Sequence, residues 1–178
     1  MMELLENDII KLRALETSDL DLLFSVENNT QFWEISNTLV PYSKEILSQY
    51  LKNAHLDIFE VKQLRLVITL KKDDTVVGLI DLFDFNPHHK KAGVGILILK
   101  KYQQKSFGEN ALKVFQNYAF EHLDLHQLYA NISLSNQGSL HLFEKLGFSK
   151  VGIQKDWLKV KTAYKDVVLL QLINPDHS

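Results

Sequence analysis

The sequence predicts an α/β fold with a mixed sheet, in the order β-α-α-β-β-β-α-β-α-β-β, within one domain spanning residues 1–178. Three observations predict it. Val94–Leu99 is a continuously apolar, β-rich run, as expected of a strand buried on both faces, and it feeds directly into an amphipathic helix. Gln63–Leu70 and Thr75–Phe85 alternate about the charged turn Lys71–Asp74, the pattern of a hairpin. Val151–Trp157 and Lys165–Ile173 form a second such pair around Lys159–Ala163 and close the chain. Helices interspersed among strands in this way place the chain in the mixed α/β class.

Taken in order, Ile9–Leu15 alternates and is expected as the first strand. Thr17 or Ser18 is expected to cap a helix over Asp19–Asn28, with Leu20, Leu23, Phe24 and Val26 on its apolar side. Residues 29–42 carry no helical or strand period and are expected to be irregular. Their Phe32, Trp33 and Tyr42 suit either the wall of a cleft or plugs at the edge of the core. Ser43 caps a second helix that buries Ile46, Leu47, Tyr50 and Leu51. After the hairpin, Asn86–Lys91 is a turn, and the apolar strand that follows should run antiparallel to its neighbour.

Lys100–Lys105 is polar, and Ser106 is the expected N-cap of a helix with Phe107, Ala111, Leu112, Val114, Phe115, Tyr118, Ala119 and His122 at three- and four-residue steps. Gln127–Ser133 is a fifth strand. Asn136 begins a short helix with Ser139, Leu142, Phe143 and Leu146 on one stripe, and Gly147 is its expected left-handed stop.

The totals narrow the chemistry. A formal charge of −2 offers no electrostatic footprint for nucleic acid or an anionic membrane. No apolar run approaches the roughly 20 residues of a membrane-spanning helix, and no charged-then-apolar leader is present, so the expected address is cytoplasmic. Without cysteine there is no disulfide, thiol nucleophile or thiolate metal site, and the histidines lack metal-binding spacing on a helix, so no metal is expected. What remains is the junction at 92–125. A buried strand that ends in a helix N-terminus leaves several backbone N–H groups without intrahelical partners, at the positive end of the helix dipole. Such a turn suits a phosphate or pyrophosphate, although many turns of this kind bind nothing.

Three segments give that turn a family context: KLRALETSDLDLLFSVENN from Lys11, YQQKSFGENAL from Tyr102 and NQGSLHLFEKLGF from Asn136. Together they resemble the GNAT superfamily of acetyl-CoA-dependent N-acetyltransferases, and within it the branch of spermidine/spermine and ribosomal-protein N-terminal acetyltransferases. The third is the most specific, because Asn136, Leu146, Gly147 and Phe148 all fall at the family's spacing. The resemblance implies a GNAT-like acyl-CoA N-acyltransferase fold with acetyl-CoA as cosubstrate. It implies a small-molecule amine or a protein N-terminus as acceptor, and a homodimer as a common assembly. The cofactor would meet backbone from Gln103, Gln104, Lys105, Ser106, Phe107, Gly108, Glu109 and Asn110 at its pyrophosphate. Ile96, Leu97 and Ile98 would meet its pantetheine where the fourth strand splays from the fifth, with Asn136 and Phe143 nearby. A bulge in the fourth strand is expected to aim an N–H at the thioester oxygen, and Gly93 and Gly95 suit either that irregularity or tight packing.

The chain also departs from the family. Gln104 and Ser106 stand at loop positions where glycine is usual. Phe143 stands where the family has a tyrosine that often serves as general acid, and Gly93 where it often has a glutamate acting as base. An alkyl amine must lose a proton before it attacks, so substitutes matter. Asp84 and His89 are the candidates for catalysis; Asp81 lies at the wrong parity to share a face with Asp84. His88, His141, Tyr129 and Tyr164 are further proton carriers by type. Glu27, Glu34, Asp81 and Asp84 lie where they can border an acceptor cleft and favour a cation. Two readings follow: an N-acetyltransferase working by direct attack of an amine on the thioester, or a protein of the same fold that binds acyl-CoA, in a regulatory role, with weak or no catalysis.

Overall fold

The computed structural model describes residues 4–36 and 38–177. Strands β1 (Ile10–Ala14), β2 (Leu64–Leu70), β3 (Val76–Asn86), β4 (Lys91–Ile98), β5 (Gln127–Ser133), β6 (Ser149–Val160) and β7 (Ala163–Ile173) form one sheet. Its spatial order is β1-β2-β3-β4-β5-β7-β6. Every neighbouring pair is antiparallel except β4 with β5. Helices α1 (Leu20–Glu27), α2 (Thr30–Ser36), α3 (Lys44–Lys52) and α4 (Ile58–Val61) lie between β1 and β2, α5 (Phe107–Asn117) follows β4, and α6 (Gln137–Lys145) follows β5.

The period-two alternation of the strands sorts their side chains into two cores. On one face Leu66, Ile68, Ile80 and Leu82 pack with Ala111, Leu112 and Phe115 of α5. On the other, Val67 and Leu79 pack with Leu23 and Val26 of α1 and with Leu47 and Leu51 of α3. The mixed sheet thus lies between two helical layers, and the smaller core forms the floor on which a cleft can open.

Several local expectations change. Residues 30–36 form helix α2 rather than an irregular stretch. Asn29 caps it by accepting from the Gln31 N–H, and Trp33 Nε1 donates to the Glu27 carbonyl at 2.7 Å. Tertiary contact therefore stabilises a segment with no helical period of its own; residue 37 lies outside the described residues. The short helix α4 was not expected either, and its cap is Asp57, whose carboxylate accepts from the Phe59 N–H.

Neither Thr17 nor Ser18 caps α1. Residues Thr17–Asp19 form a turn of 3₁₀ helix, and Asp19 accepts from the Glu16 N–H at 2.8 Å. By contrast Ser43 and Asn136 cap their helices as expected, accepting from the N–H groups of Ile46 and Ser139. Gly147 holds a left-handed φ of 95° just beyond α6. The helix after β4 ends early, and Tyr118–His122 continues it as a π turn.

Asp19 is buried and takes a two-pronged hydrogen bond from Arg13, at 2.8 and 2.9 Å, which ties α1 to β1. Those Arg13 bonds, helped by the Glu16 N–H and opposed by burial, hold the Asp19 carboxyl below the ordinary aspartate range. A depressed folded value means that the pair stabilises the fold fully above the ordinary aspartate pKa of about 4. That stability is lost as the pH falls through the lower, folded value. Asp19→Asn is expected to destabilise the fold by about 1.5–3 kcal/mol at neutral pH. It should also flatten the acid limb of the stability curve, as read by urea unfolding at a series of pH values; an acid limb unchanged in the variant would contradict this.

Candidate active site

The parallel pairing of β4 with β5 covers only Lys91–Gln127, Ala92–Leu128 and Gly93–Tyr129, after which the strands part. Which backbone groups the parting exposes follows from the other edge of β4. Leu99 N–H donates to the Val77 carbonyl, and Gly78 faces Ile98 in a regular antiparallel ladder. Alternation along that ladder directs odd-numbered residues of β4 toward β3 and even-numbered ones toward the gap. Beyond the last pair, Ile96 and Ile98 therefore turn their N–H and C=O groups toward space that a strand would otherwise fill. One of these acceptors is used locally, since Gln103 Nε2 donates to the Ile98 carbonyl at 3.0 Å.

A cavity of 1120 Å³ spans this parting. Its lining comes from α1, α2 and α3 above, from β2, β3 and β4 on one side, and from β5, α6, β6 and β7 on the other. Phe32 and Tyr42 line it, so of the three aromatics expected near residues 29–42 these two form cleft wall; Trp33 instead packs against α1. Ile96, Leu97, Asn136 and Phe143 line it too, whereas Ile98 and the loop at 103–110 lie beyond its edge. Asn136 spends its side chain on capping α6.

The expected bulge sits on the other strand. Between Phe83–Gly93 and Asn86–Lys91 the register shifts, with one extra residue on β3, and Asp84 takes a φ of 49° there. On β4 itself the pairing runs without a break from Gly93 to Ile98. Gly93 is explained by packing: a Cβ added there would lie 2.2 Å from the Phe83 ring, leaving no room for the family's glutamate. At Gly95 the same ring is 3.9 Å away, an ordinary contact.

The loop before α5 shows why glycine is usual at two of its positions. Gln104 and Ser106 both adopt left-handed backbone, with φ of 57° and 60°. Ser106 occupies the N-cap position, but its hydroxyl makes no capping hydrogen bond, contrary to the sequence expectation. The first intrahelical bond is Asn110 N–H to the Ser106 carbonyl, so the N–H groups of Phe107, Gly108 and Glu109 have no partner within the helix. A short chain segment that alternates hands turns successive N–H groups into one concavity, which suits anionic oxygens. Around it, Asn110 Nδ2 donates to the Ser106 carbonyl, Lys145 pairs with Glu109 at 2.6 Å, and Lys101 and Lys105 flank the Tyr102 ring.

The two candidates for catalysis lie apart from the cavity. Asp84 is exposed at the bulge, where it accepts from Tyr129 Oη at 3.2 Å. Burial, then the Asp84 charge and that hydrogen bond, push the Tyr129 phenol up to about 12. His89 is exposed in the turn before β4, its ring edge-on to His88 at 4.7 Å. Neither Asp84 nor His89 is among the described residues that line the cavity; Asp81 is. Phe143 lines it as well, buried and edge-on to Phe148 at 4.9 Å.

The cavity's charges form two groups, and sequence reasoning missed both cations. Arg65 on β2 faces Asp81 directly across the ladder and grips it through Nε and Nη2 at 2.6 and 2.9 Å. Its Nη1 bonds Glu27 on α1. Burial opposes the guanidinium charge, but Asp81 foremost, with Glu27, overrides it and holds Arg65 above its ordinary value. Burial raises the neighbouring Tyr50 phenol, so that it stays neutral near pH 7. Separately, Lys165 on β7 reaches Glu34 on α2 at 2.8 and 2.9 Å. A signal for Arg65 existed: it is the sole charge in Leu64–Leu70, a strand that is otherwise nearly all apolar.

A mixed sheet that parts beside a helix N-terminus, with an anion-ready loop on one side and an acid-lined cleft on the other, suits an acyltransferase that moves an acyl group from CoA to an amine and releases the CoA thiol. The comparisons carry this to a family. The family model for the acetyltransferase (GNAT) domain matches residues 10–149, and the chain belongs to that family. Spermidine N(1)-acetyltransferase of Vibrio cholerae is 27% identical over 170 residues, 94% of each chain. The Escherichia coli K12 enzyme of the same name is 31% identical over 80% of this chain and 74% of its own. A putative ribosomal N-acetyltransferase of Bacillus subtilis is 25% identical over 94% of this chain and 92% of its own. Among solved structures, the Vibrio cholerae spermidine N-acetyltransferase in complex with CoA and spermine superposes with a TM-score of 0.84 at 26% identity, covering 94% of this chain and 96% of that one. The protein is thus an N-acetyltransferase, and the acetyl donor of its class is acetyl-CoA.

The left-handed loop yields a direct test. Proline fixes φ near −65° and cannot adopt the conformation of Ser106, whereas glycine adopts it freely. Ser106→Pro is expected to weaken CoA binding at least about tenfold in calorimetric titration, and Ser106→Gly to preserve it. Equal affinity in all three proteins would refute the loop as a phosphate site.

Proposed function

We propose that this chain transfers the acetyl group of acetyl-CoA to a primary amine of a small polycation of the spermidine kind. The observation that carries the reading is the cavity itself, which spans the parting of β4 and β5 and presents Glu27, Glu34 and Asp81 from three different elements. Acidic side chains in a half-enclosed site favour a cationic acceptor, and the spermidine-acetylating relatives support the same substrate class. A neighbour in the family is described as a dodecamer, which supports assembly of this chain with copies of itself.

In the proposed reaction, the amine, having lost its proton, attacks the thioester carbon; the C–S bond breaks and the thiolate leaves. Acetyl-CoA supplies the activated acyl group. The chain's part is mostly to bind and orient. Backbone groups of Ile96 and Ile98 would receive the pantetheine amides as an added strand would, and the N–H groups at 104–109 would receive the pyrophosphate. Those N–H groups of β4 are also the fixed dipoles nearest to where negative charge develops on the thioester oxygen. Phe143 has no proton to give, but a thiolate is a far better leaving group than an amine anion and can take its proton from solvent. Of the two carboxylates on β3, Asp81 has the better position to act on the acceptor. Its two hydrogen bonds from Arg65 leave it little freedom to take a proton from the amine, so its role is to attract the cation.

The test measures CoA release with spermidine, spermine and a peptide bearing a free N-terminus. Release with the polyamines and none with the peptide is expected; the opposite pattern would overturn the reading. Phe143→Tyr restores the phenol that is usual in the family. It is expected to raise kcat by up to about tenfold while leaving CoA affinity unchanged. A kcat–pH profile identical in the variant and the parent would show that no acid was missing.

A further inference from the structure

Three carboxylates line the cavity, and each already has a partner, but the partners are not equivalent. Glu27 and Asp81 share one arginine, whose planar fork spends Nε, Nη1 and Nη2 on them and so links α1, β2 and β3. An incoming ammonium cannot take one of these carboxylates without breaking a three-way arrangement, because Arg65 would be left facing the other. Glu34 differs. Among the described residues it is held by Lys165 alone, through one ammonium at 2.8 and 2.9 Å, and both side chains keep about a third of their surface in contact with solvent, 28% and 36%. Lysine is a compact, strongly hydrated charge on a flexible stem. The pair bridges α2 to β7, from the helical wall of the cavity to the strands beyond the parting, and both residues line the cavity.

Resting on the proposed polyamine reading, we infer that Lys165 is a built-in stand-in for the acceptor's second ammonium group. An acceptor with a second cationic nitrogen displaces Lys165 from Glu34. The exchange replaces one ammonium–carboxylate pair with another, and it releases Lys165 to water, so its electrostatic cost is small. An amine with a single nitrogen gains nothing, because the nitrogen that reacts must be neutral. The Glu34–Lys165 pair therefore sets the preference for polyamines over monoamines, and Lys165 tempers that preference by competing for the same carboxylate. Arg65, by contrast, fixes the shape of the cleft and does not exchange.

The experiment compares kcat/KM for putrescine and for butylamine, which differ by one terminal ammonium, in the parent protein, Glu34→Gln and Lys165→Met. In Glu34→Gln the putrescine-to-butylamine ratio is expected to fall about tenfold, mostly through KM for the diamine. In Lys165→Met the ratio is expected to rise about three- to tenfold, since the competing cation is gone. Misfolding cannot produce that opposite shift. Ratios unchanged in both variants, with parent turnover intact, would overturn the inference and leave the proposed function standing. Absence of CoA release with every amine in the parent protein would overturn both.

Discussion

Everything at the site depends on β4 leaving β5 after three residue pairs. A strand in mid-sheet normally satisfies its backbone on both sides, and groups left open in a half-buried position carry a desolvation cost. Here Ile96 and Ile98 face no strand on that edge, although β4 is otherwise a regular central strand. The parting begins where packing changes. At its last pair, Gly93 with Tyr129, the Phe83 ring covers the glycine and meets the tyrosine edge-on at 5.9 Å. The sheet is thereby held open at the place where an extended ligand carrying its own amides can close it, and its backbone N–H groups are fixed before any ligand arrives.

Preorganisation at the other end has a visible cost. Two non-glycine residues with left-handed backbone within three positions, Gln104 and Ser106, each sit in a region that costs about 1 kcal/mol or more for a side chain with a Cβ. The surroundings hold them there: Gln103 anchors to β4, Asn110 to the Ser106 carbonyl, and Asn7 to Asn110. That a loop keeps this conformation without its usual glycines indicates that the conformation, more than the residue type, is what matters at these two positions.

Much of the fold was legible because it is written in periods. Strands such as Gln127–Ser133 and the caps Ser43 and Asn136 follow from alternation and from short polar side chains ahead of helices. Helix α2 was illegible because its stability comes from Trp33 and Asn29 meeting α1 and the chain around it, not from its own apolar stripe. The family resemblance places a bulge on β4, where Gly93 and Gly95 suit either it or tight packing, yet the extra residue is Asp84 on β3, and Gly93 is small for the sake of Phe83. Of the cleft, the acids were visible as residue types. Their partners were not, because Arg65–Asp81 and Lys165–Glu34 are separated by 16 and 131 positions and meet only once the sheet is assembled.

The same assembly decides what the charges can do. Counted from sequence, Glu27, Glu34 and Asp81 look like three anionic sites for a polycation. In the folded chain, Arg65 and Lys165 reduce their net charge to about one unit, so the proposed polyamine would meet a cleft that is mildly rather than strongly attractive. A mildly attractive cleft suits turnover, because acetylation removes one positive charge from the product and a site that held the substrate very tightly would gain little in rate. With Phe143 and Gly93 in place of ionisable groups, the proposed reaction would draw its selectivity from how the carboxylates are shared between the chain's own cations and those of the acceptor. Its catalysis would come from geometry, with backbone N–H groups of β4 held in place before a neutral amine reaches the thioester.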